Sequence, residues 1–167
     1  GLKPQDIFWR GISALQDQLD RNKDMVRQAR TGDDIRKNLE DGVISAIFTL
    51  EGPAGIEFDP EKLEKLYNLG FRISTLGWNE KNSLTGSHKA GGGLTKRGRE
   101  YVKECQRPGI AVDVSHISDE AFWQIMDITQ APVIASHSNS RSVCPVSRNL
   151  TDEMFRAICA TDGVAGF

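Results

Sequence analysis

The sequence has few cysteines, and their spacing excludes both a disulfide framework and a cysteine-rich zinc clip. Its three cysteines, Cys105, Cys144 and Cys159, are an odd number at wide separations. Disulfide frameworks use even numbers at short spacings in small secreted chains, and zinc clips use paired Cys-x-x-Cys ligands. We therefore predict three reduced, partly buried thiols and a cytoplasmic location.

An excess of charge and a long apolar run are also lacking. The 167 residues include 21 Lys and Arg against 23 Asp and Glu, a net charge of -2 at pH 7. The sequence has no cluster of basic residues that would bind the phosphates of a nucleic acid. No apolar run is long enough to cross a bilayer, and the first residues do not follow the pattern of a signal peptide. These absences predict a globular protein that binds no nucleic acid and has no transmembrane segment.

What the sequence does contain is an alternation of strand-like and helix-like segments. Short β-branched or apolar runs that end in glycine or polar residues, as buried strands do, lie at 43–52, 71–78, 110–116, 131–138 and 163–167. Segments with helical spacing lie between these runs, and two more precede the first run. Their start and stop signals are typical, as in the last helix, where Thr151 is a candidate N-cap and Gly163 a candidate end.

This order predicts an α/β protein with a parallel sheet, because buried strands separated by helices are joined by right-handed crossovers. An open doubly wound sheet and a (β/α)8 barrel both satisfy the pattern. A complete barrel has eight strands and roughly 250 residues, whereas about five strands are predicted here. In the barrel interpretation, residues 1–167 form a single partial barrel domain.

Three of the predicted strand ends carry residue types that bind metals. Glu51, His116 and His137 each stand at or next to the end of an apolar run. The carboxyl ends of parallel strands form the functional face of such folds, and two imidazoles with a carboxylate suit zinc or a related divalent ion. Each residue alone is more often structural. Their recurrence at equivalent places favours one shared metal site.

Other polar residues stand near these strand ends in the sequence. His88 lies in a glycine-rich segment, 86–93, that we predict to be a mobile loop, so we expect exposure to solvent, with a substrate-covering lid as the alternative. Asp113 lies inside its strand and is expected to be a buried partner of a neighbouring group. Arg148 is either a plain surface cation or a fork for a substrate carboxylate.

The motifs TLEG (49–52), DVSH (113–116), SHS (136–138) and SRN (147–149) occur at spacings that resemble the membrane (renal-type) dipeptidase family of zinc metallopeptidases. The similarity extends from about residue 30 to the end. It implies a (β/α)8, TIM-like barrel with two zinc ions that hydrolyses dipeptides, commonly as a homodimer. Chemically this is coherent, because two metal ions can polarise a scissile carbonyl and supply hydroxide at neutral pH.

The resemblance also implies roles for individual residues. Glu51 matches the glutamate that bridges both zinc ions, and His116 and His137 match two ligands of one of them. Arg148 matches the arginine that holds the terminal carboxylate of the substrate.

The sequence departs from the family pattern in two ways. Trp78 stands where family members often have a histidine, and we expect Trp78 and Asn79 to line the substrate pocket. No His-x-Asp pair for the other zinc occurs anywhere, and the chain stops at Phe167 in what should be a mid-barrel strand. We therefore expect an internal piece of a longer dipeptidase-like protein.

Two alternatives to a dipeptidase remain open from the sequence. One is another amidohydrolase-like barrel that hydrolyses a cyclic amide or a lactone with metal. The other is a catalytically incompetent fragment or binding remnant that retains the barrel surface without the chemistry.

Overall fold

The computed structural model describes residues 1–167 as a mixed α/β structure. The helices are α1 (Pro4–Arg21), α2 (Gly32–Glu40), α3 (Leu63–Asn68), α4 (Lys96–Gln106), α5 (Asp119–Ile128) and α6 (Asp152–Ala160), with short 3-10 turns at Pro53–Ile56 and Pro60–Lys62. The strands are β1 (Val26–Gln28), β2 (Ile44–Ala46), β3 (Phe48–Leu50), β4 (Phe71–Thr75), β5 (Thr85–Ser87), β6 (Gly91–Leu94), β7 (Ala111–Asp113) and β8 (Val133–Ile134). Length and hydropathy rule out every helix as a membrane span.

The central sheet is parallel, and its four strands follow the order β3-β4-β7-β8. Chain order is therefore kept across the sheet, with a helix between each pair of neighbours after β3. A doubly wound sheet reverses its strand order at a switch point, whereas a barrel does not. Ala165 adds one parallel bridge to Ala135 beyond β8, which starts a fifth strand position. The α/β fold and the partial (β/α)8 barrel are thus confirmed.

Several predicted segments differ from the structure. The runs 110–116 and 131–138 form only the short strands β7 and β8, and the run 163–167 forms a single bridge. The run 43–52 is divided into β2, which pairs with β1, and β3, which pairs with β4, because its two halves have different neighbours. The glycine-rich segment 86–93 is not a loop. It contributes to the antiparallel hairpin of β5 and β6, where the carbonyl oxygens of Gly91 and Gly92 lie so close to Gly86 that a side chain there would collide with them.

Helix starts follow the predicted capping chemistry. Ser118 begins α5 by accepting a hydrogen bond from the backbone of Ala121, and Thr151 begins α6 by accepting one from Met154. Such side-chain caps satisfy backbone N–H groups that have no partner in the first turn. Each of these two helices therefore starts at a fixed residue, and α5 does so shortly after the end of β7.

One hydrophobic core lies between the parallel sheet and its helices. It packs Val112 of β7 with Leu66 of α3, Tyr101 of α4, Phe122 of α5 and Ile158 of α6, all with at most 1% of their surface exposed. Full burial of side chains of this size contributes roughly 1.5–3 kcal/mol each. The core therefore fixes the strand ends relative to one another.

All three cysteines are free, as predicted, but none has the expected partial burial. Cys105 is fully buried in the core, whereas Cys144 and Cys159 are exposed. Cys105 lies on the inner face of α4, and the other two lie where the chain meets solvent.

Candidate metal centre

Glu51 follows β3 directly and leaves the sheet at its carboxyl end. The next residue, Gly52, has a positive φ of 78°, and its N–H donates to the Thr75 hydroxyl at 2.8 Å. This turn directs the Glu51 side chain across the ends of the neighbouring strands, where about half of its surface stays exposed.

His116 stands three residues after the end of β7, not at the last strand residue as predicted. Its backbone has a φ of 72°, in the left-handed region that costs a non-glycine residue energy. Its side chain is only 9% exposed, and Nδ1 is buried without a partner. The turn thus brings an imidazole into the rim of the sheet, with Nε2 as the nitrogen that faces Glu51 and His137.

His137 lies three residues after the end of β8, the strand next to β7, and its side chain is half exposed. Its Nδ1 lies 2.7 Å from the hydroxyl of Ser136. Its Nε2 lies 2.9 Å from Nε2 of His116. The ring is therefore held on one side by its neighbour and presents the other nitrogen to His116.

The structure brings Glu51, His116 and His137 together at one point. Oε1 of Glu51 lies 3.0 Å from Nε2 of His116 and 3.4 Å from Nε2 of His137, and the possible ligand atoms all lie within 4.8 Å of one another. Two nitrogens and one oxygen in this arrangement are the donor set of many zinc and related divalent metal sites. The three residues fit a metal ion.

The electrostatics of His116 also suit a metal ligand. Burial, and then the positive charge of Arg148, lowers the pKa of His116 to about 4, although Glu51 acts in the opposite direction. The imidazole is therefore neutral near pH 7, which is the form that coordinates a metal.

Arg148 lies on the loop after β8 and is held against the same strand end. Its guanidinium donates from Nη1 to the hydroxyl of Ser138 and from Nη2 to the backbone carbonyl of His137, both at 2.8 Å. Burial lowers the pKa of Arg148 from its usual value, but a guanidinium remains charged at neutral pH. A fixed cation therefore stands beside the coordinating imidazoles.

His88 is not the exposed loop residue expected from the sequence. It is partly buried, because it follows β5 at the tip of the hairpin, and its ring centroid lies 5.9 Å from that of His116. Nε2 contacts Oδ1 of Asn79 at 3.0 Å, and Nδ1 contacts the hydroxyl of Ser147 at 3.3 Å. Burial, followed by the charge of Arg148, lowers the pKa of His88. A neutral ring thus connects two loops over the centre.

Trp78 and Asn79 occupy different positions around the centre. Trp78 is 56% exposed, and its ring centroid lies 6.2 Å from that of His116. It lines a cavity of about 300 Å³ together with Glu51, Phe58 and other residues. Asn79 reaches the centre only through His88. A second cavity of about 190 Å³ lies on the barrel side of Glu51 and His137.

Asp113 is the buried partner that its position inside the strand predicts. It is 2% exposed and accepts hydrogen bonds from Ser115 and Ser136, which flank the two histidines in the chain. The sequence reasoning did not identify Ser136 or the position of His88. The only available signal was that Ser136 precedes a candidate ligand, and serine is too common before turns for that to be specific.

The chain is similar to known proteins over nearly its whole length. A family model described as "Membrane dipeptidase (Peptidase family M19)" matches residues 7–167. An uncharacterised protein encoded in the pqqA 5' region of Klebsiella pneumoniae is 32% identical over 98% of this chain and 63% of its own length.

Solved structures give the same result. A metallopeptidase from Rhodobacter sphaeroides, liganded with a phosphinate mimic of the dipeptide L-Ala-D-Ala, superposes with a TM-score of 0.84 at 30% identity over 94% of this chain and 46% of that one. Dipeptidase AC, a metallopeptidase of family M19, has a TM-score of 0.91 at 28% identity over 99% of this chain and 51% of that one. The chain thus spans between 30% and 63% of the length of the proteins it matches.

Proposed function

Because the chain belongs to the membrane dipeptidase family, peptidase family M19, we propose that it carries the metal centre of a zinc-dependent dipeptidase. The observation that supports this most directly is the convergence of Oε1 of Glu51 on Nε2 of His116 and His137, at 3.0 and 3.4 Å. A surface carboxylate without a function would not be expected to contact two imidazoles that follow consecutive strands.

In this proposal His116 and His137 would hold one zinc ion, and Glu51 would be a ligand shared with a second. Zinc held by these residues would supply a Lewis acid for the scissile carbonyl and a hydroxide nucleophile at neutral pH. The carboxylate of Glu51 is half exposed, so its second oxygen is accessible from the open side of the centre.

Arg148 is proposed to bind the terminal carboxylate of the dipeptide. Nη1 and Nη2 each use one N–H to contact Ser138 and His137, so each retains a second N–H for a substrate. A fork of this kind recognises a carboxylate in a fixed orientation. Trp78 would line the adjoining substrate pocket directly, whereas Asn79 would act on it through His88.

The test is metal content and dipeptide turnover in the protein as its gene encodes it, with Glu51→Gln, His116→Ala and His137→Ala. Loss of an outer partner of a metal ligand typically costs 10- to 100-fold, so loss of a ligand itself should reduce turnover by more than about 100-fold. Glu40→Gln, at an exposed glutamate on α2, is the matched control and should behave as wild type. Unchanged metal content and rate in the three variants would refute the assignment.

Substrate choice separates dipeptide hydrolysis from the amidohydrolase-like alternative. L-Ala-D-Ala is the first dipeptide to assay, since a phosphinate mimic of it is bound in the Rhodobacter sphaeroides relative. L-Ala-L-Ala and a simple lactone complete the panel. Turnover of the lactone without turnover of either dipeptide would replace the present proposal.

A further inference from the structure

The carboxylate of Asp113 connects the two histidines of the metal centre through fixed hydrogen bonds. Its Oδ1 accepts from the backbone N–H of Ser115 at 2.9 Å and from that of Ser136 at 3.0 Å. Its Oδ2 accepts from the Ser136 hydroxyl at 2.5 Å. Because Oδ1 and Oδ2 accept from different donors, these hydrogen bonds fix the orientation of the carboxylate.

The Ser136 hydroxyl extends this contact to His137. Its single hydrogen is donated to Asp113, because a carboxylate can only accept. The same oxygen lies 2.7 Å from Nδ1 of His137, so it must accept a hydrogen from that nitrogen. The network therefore assigns the ring hydrogen of His137 to Nδ1 and leaves Nε2 with a free lone pair.

His116 supports the same assignment from the other side. Its Nδ1 is buried without a partner, so a hydrogen placed there would be unsatisfied. A hydrogen on Nε2 can instead be donated to Nε2 of His137 at 2.9 Å or to Oε1 of Glu51 at 3.0 Å, and a metal ion bound at Nε2 would displace it. The lone pair that the relay leaves on Nε2 of His137 is one of these two acceptors.

We propose that Asp113 and Ser136 are positioning residues that select the metal-binding tautomer of His137 through the relay Asp113–Ser136–His137. The relay rests on the proposed metal centre for its purpose, but its hydrogen bonds are formed by residues of the chain alone. A metal ligand needs its coordinating nitrogen free of hydrogen, and outer partners that enforce this tautomer raise metal affinity.

Asp113→Asn is the decisive variant, because it reverses the relay without removing it. The amide oxygen keeps the two backbone contacts of Oδ1, and the amide nitrogen replaces Oδ2 and donates to Ser136. The Ser136 hydroxyl must then donate to Nδ1 of His137, which moves the ring hydrogen to Nε2. Replacement of a carboxylate by an amide behind a catalytic histidine is known to act in this way, with the geometry intact.

Two measurements on the full chain test the relay. Nitrogen-15 NMR of the imidazoles at pH 7 without metal should place the His137 hydrogen on Nδ1 in the wild type and on Nε2 in Asp113→Asn. Zinc titration should show an affinity about 10- to 100-fold weaker in the variant. A merely structural role for Asp113 would not exchange the two nitrogens.

Ser136→Ala provides a second route if Asp113→Asn does not fold. It removes the hydroxyl but leaves both backbone contacts to Asp113, so the His137 tautomer should become mixed and zinc affinity should fall. Ser136→Thr keeps the hydroxyl and should restore both readouts. Ser142→Ala, at an exposed serine whose hydroxyl bonds only to that of Ser140, is the matched control.

The outcomes are distinguishable from failure of the proposed function. A wild-type chain that binds no zinc refutes the metal centre, while the NMR comparison still decides the relay. The relay is overturned if His137 keeps its hydrogen on Nδ1 in Asp113→Asn, or if Ser136→Ala matches Ser142→Ala in both readouts.

Discussion

At the scale of single residues, His116 has two unfavourable features at once, a left-handed backbone and a buried nitrogen without a partner. Such features persist only where the surroundings over-determine them, and they concentrate at functional sites. Here the fixing contacts are the hydrogen bond from Ser115 to Asp113 and the one from the His88 N–H to the His116 carbonyl at 2.9 Å. The left-handed backbone of His116 places its imidazole in contact with Glu51 and His137.

The three cysteines are expected to differ in their reactivity toward thiol reagents. Burial raises the pKa of the Cys105 thiol far above its ordinary value, so thiolate is negligible at pH 8. Cys144 and Cys159 are exposed. With Ellman's reagent, two thiols per chain should react in the native protein and the third only in denaturant. Reaction of all three at one rate in the native state would show that α4 opens readily.

The side chain of His88 is expected to hold the loop that carries Arg148 in place. His88→Ala removes the contacts to Asn79 and Ser147, each worth about 0.5–1.5 kcal/mol net. The loop at 139–151, which carries Arg148, should then exchange its amide hydrogens up to about tenfold faster. Lys89→Ala, at an exposed neighbour, is the control. Equal exchange in the two variants would show that His88 does not hold this loop.

At the scale of elements, the helix caps control local stability. Thr151→Ala removes the side-chain acceptor for the Met154 N–H at the start of α6 and should cost about 1 kcal/mol in the free energy of unfolding. Thr151→Ser keeps the acceptor and serves as the control. Urea denaturation measures both, and an alanine variant as stable as the serine variant would contradict the role of the cap.

Elements with strong periodicity could be predicted from the sequence, and short ones could not. The segment that forms α5 combines a Ser118 cap with buried Phe122 and Ile125 at helical spacing, so local chemistry and packing agree. β1 has only three residues, and the hairpin of β5 and β6 is built on glycines, so neither has a hydrophobic period to detect. Their structure depends on partners distant in the chain.

The same distinction applies to the candidate site. Glu51, His116 and His137 recur at equivalent places near the ends of apolar runs, so their grouping could be predicted although each residue alone is more often structural. The relay could not, because Asp113 and Ser136 are 23 positions apart and join only when β7 pairs with β8. His88 was misjudged because its ordering depends on a hairpin that the sequence does not indicate.

At the scale of the whole molecule, the parallel sheet brings Glu51, His116 and His137 to one rim from three different strands. A metal ion that binds all three therefore connects distant parts of the chain and stabilises only the folded state. At zinc concentrations 100 times the dissociation constant, this linkage amounts to about 2.7 kcal/mol, a rise of roughly 5–10 °C in Tm for a chain of this size.

Differential scanning fluorimetry with zinc and with EDTA measures this rise. His116→Ala should lose it while keeping a cooperative transition. An equal rise in wild type and variant would place the stabilising ion elsewhere on the chain.

Joint binding of one divalent ion by Glu51, His116 and His137 can be measured by anomalous diffraction at the zinc edge, from crystals of the protein grown with zinc. We expect an anomalous peak within about 2.0–2.2 Å of Nε2 of both histidines and of a carboxylate oxygen of Glu51. Zinc at another position, or no anomalous peak at this rim, would contradict it.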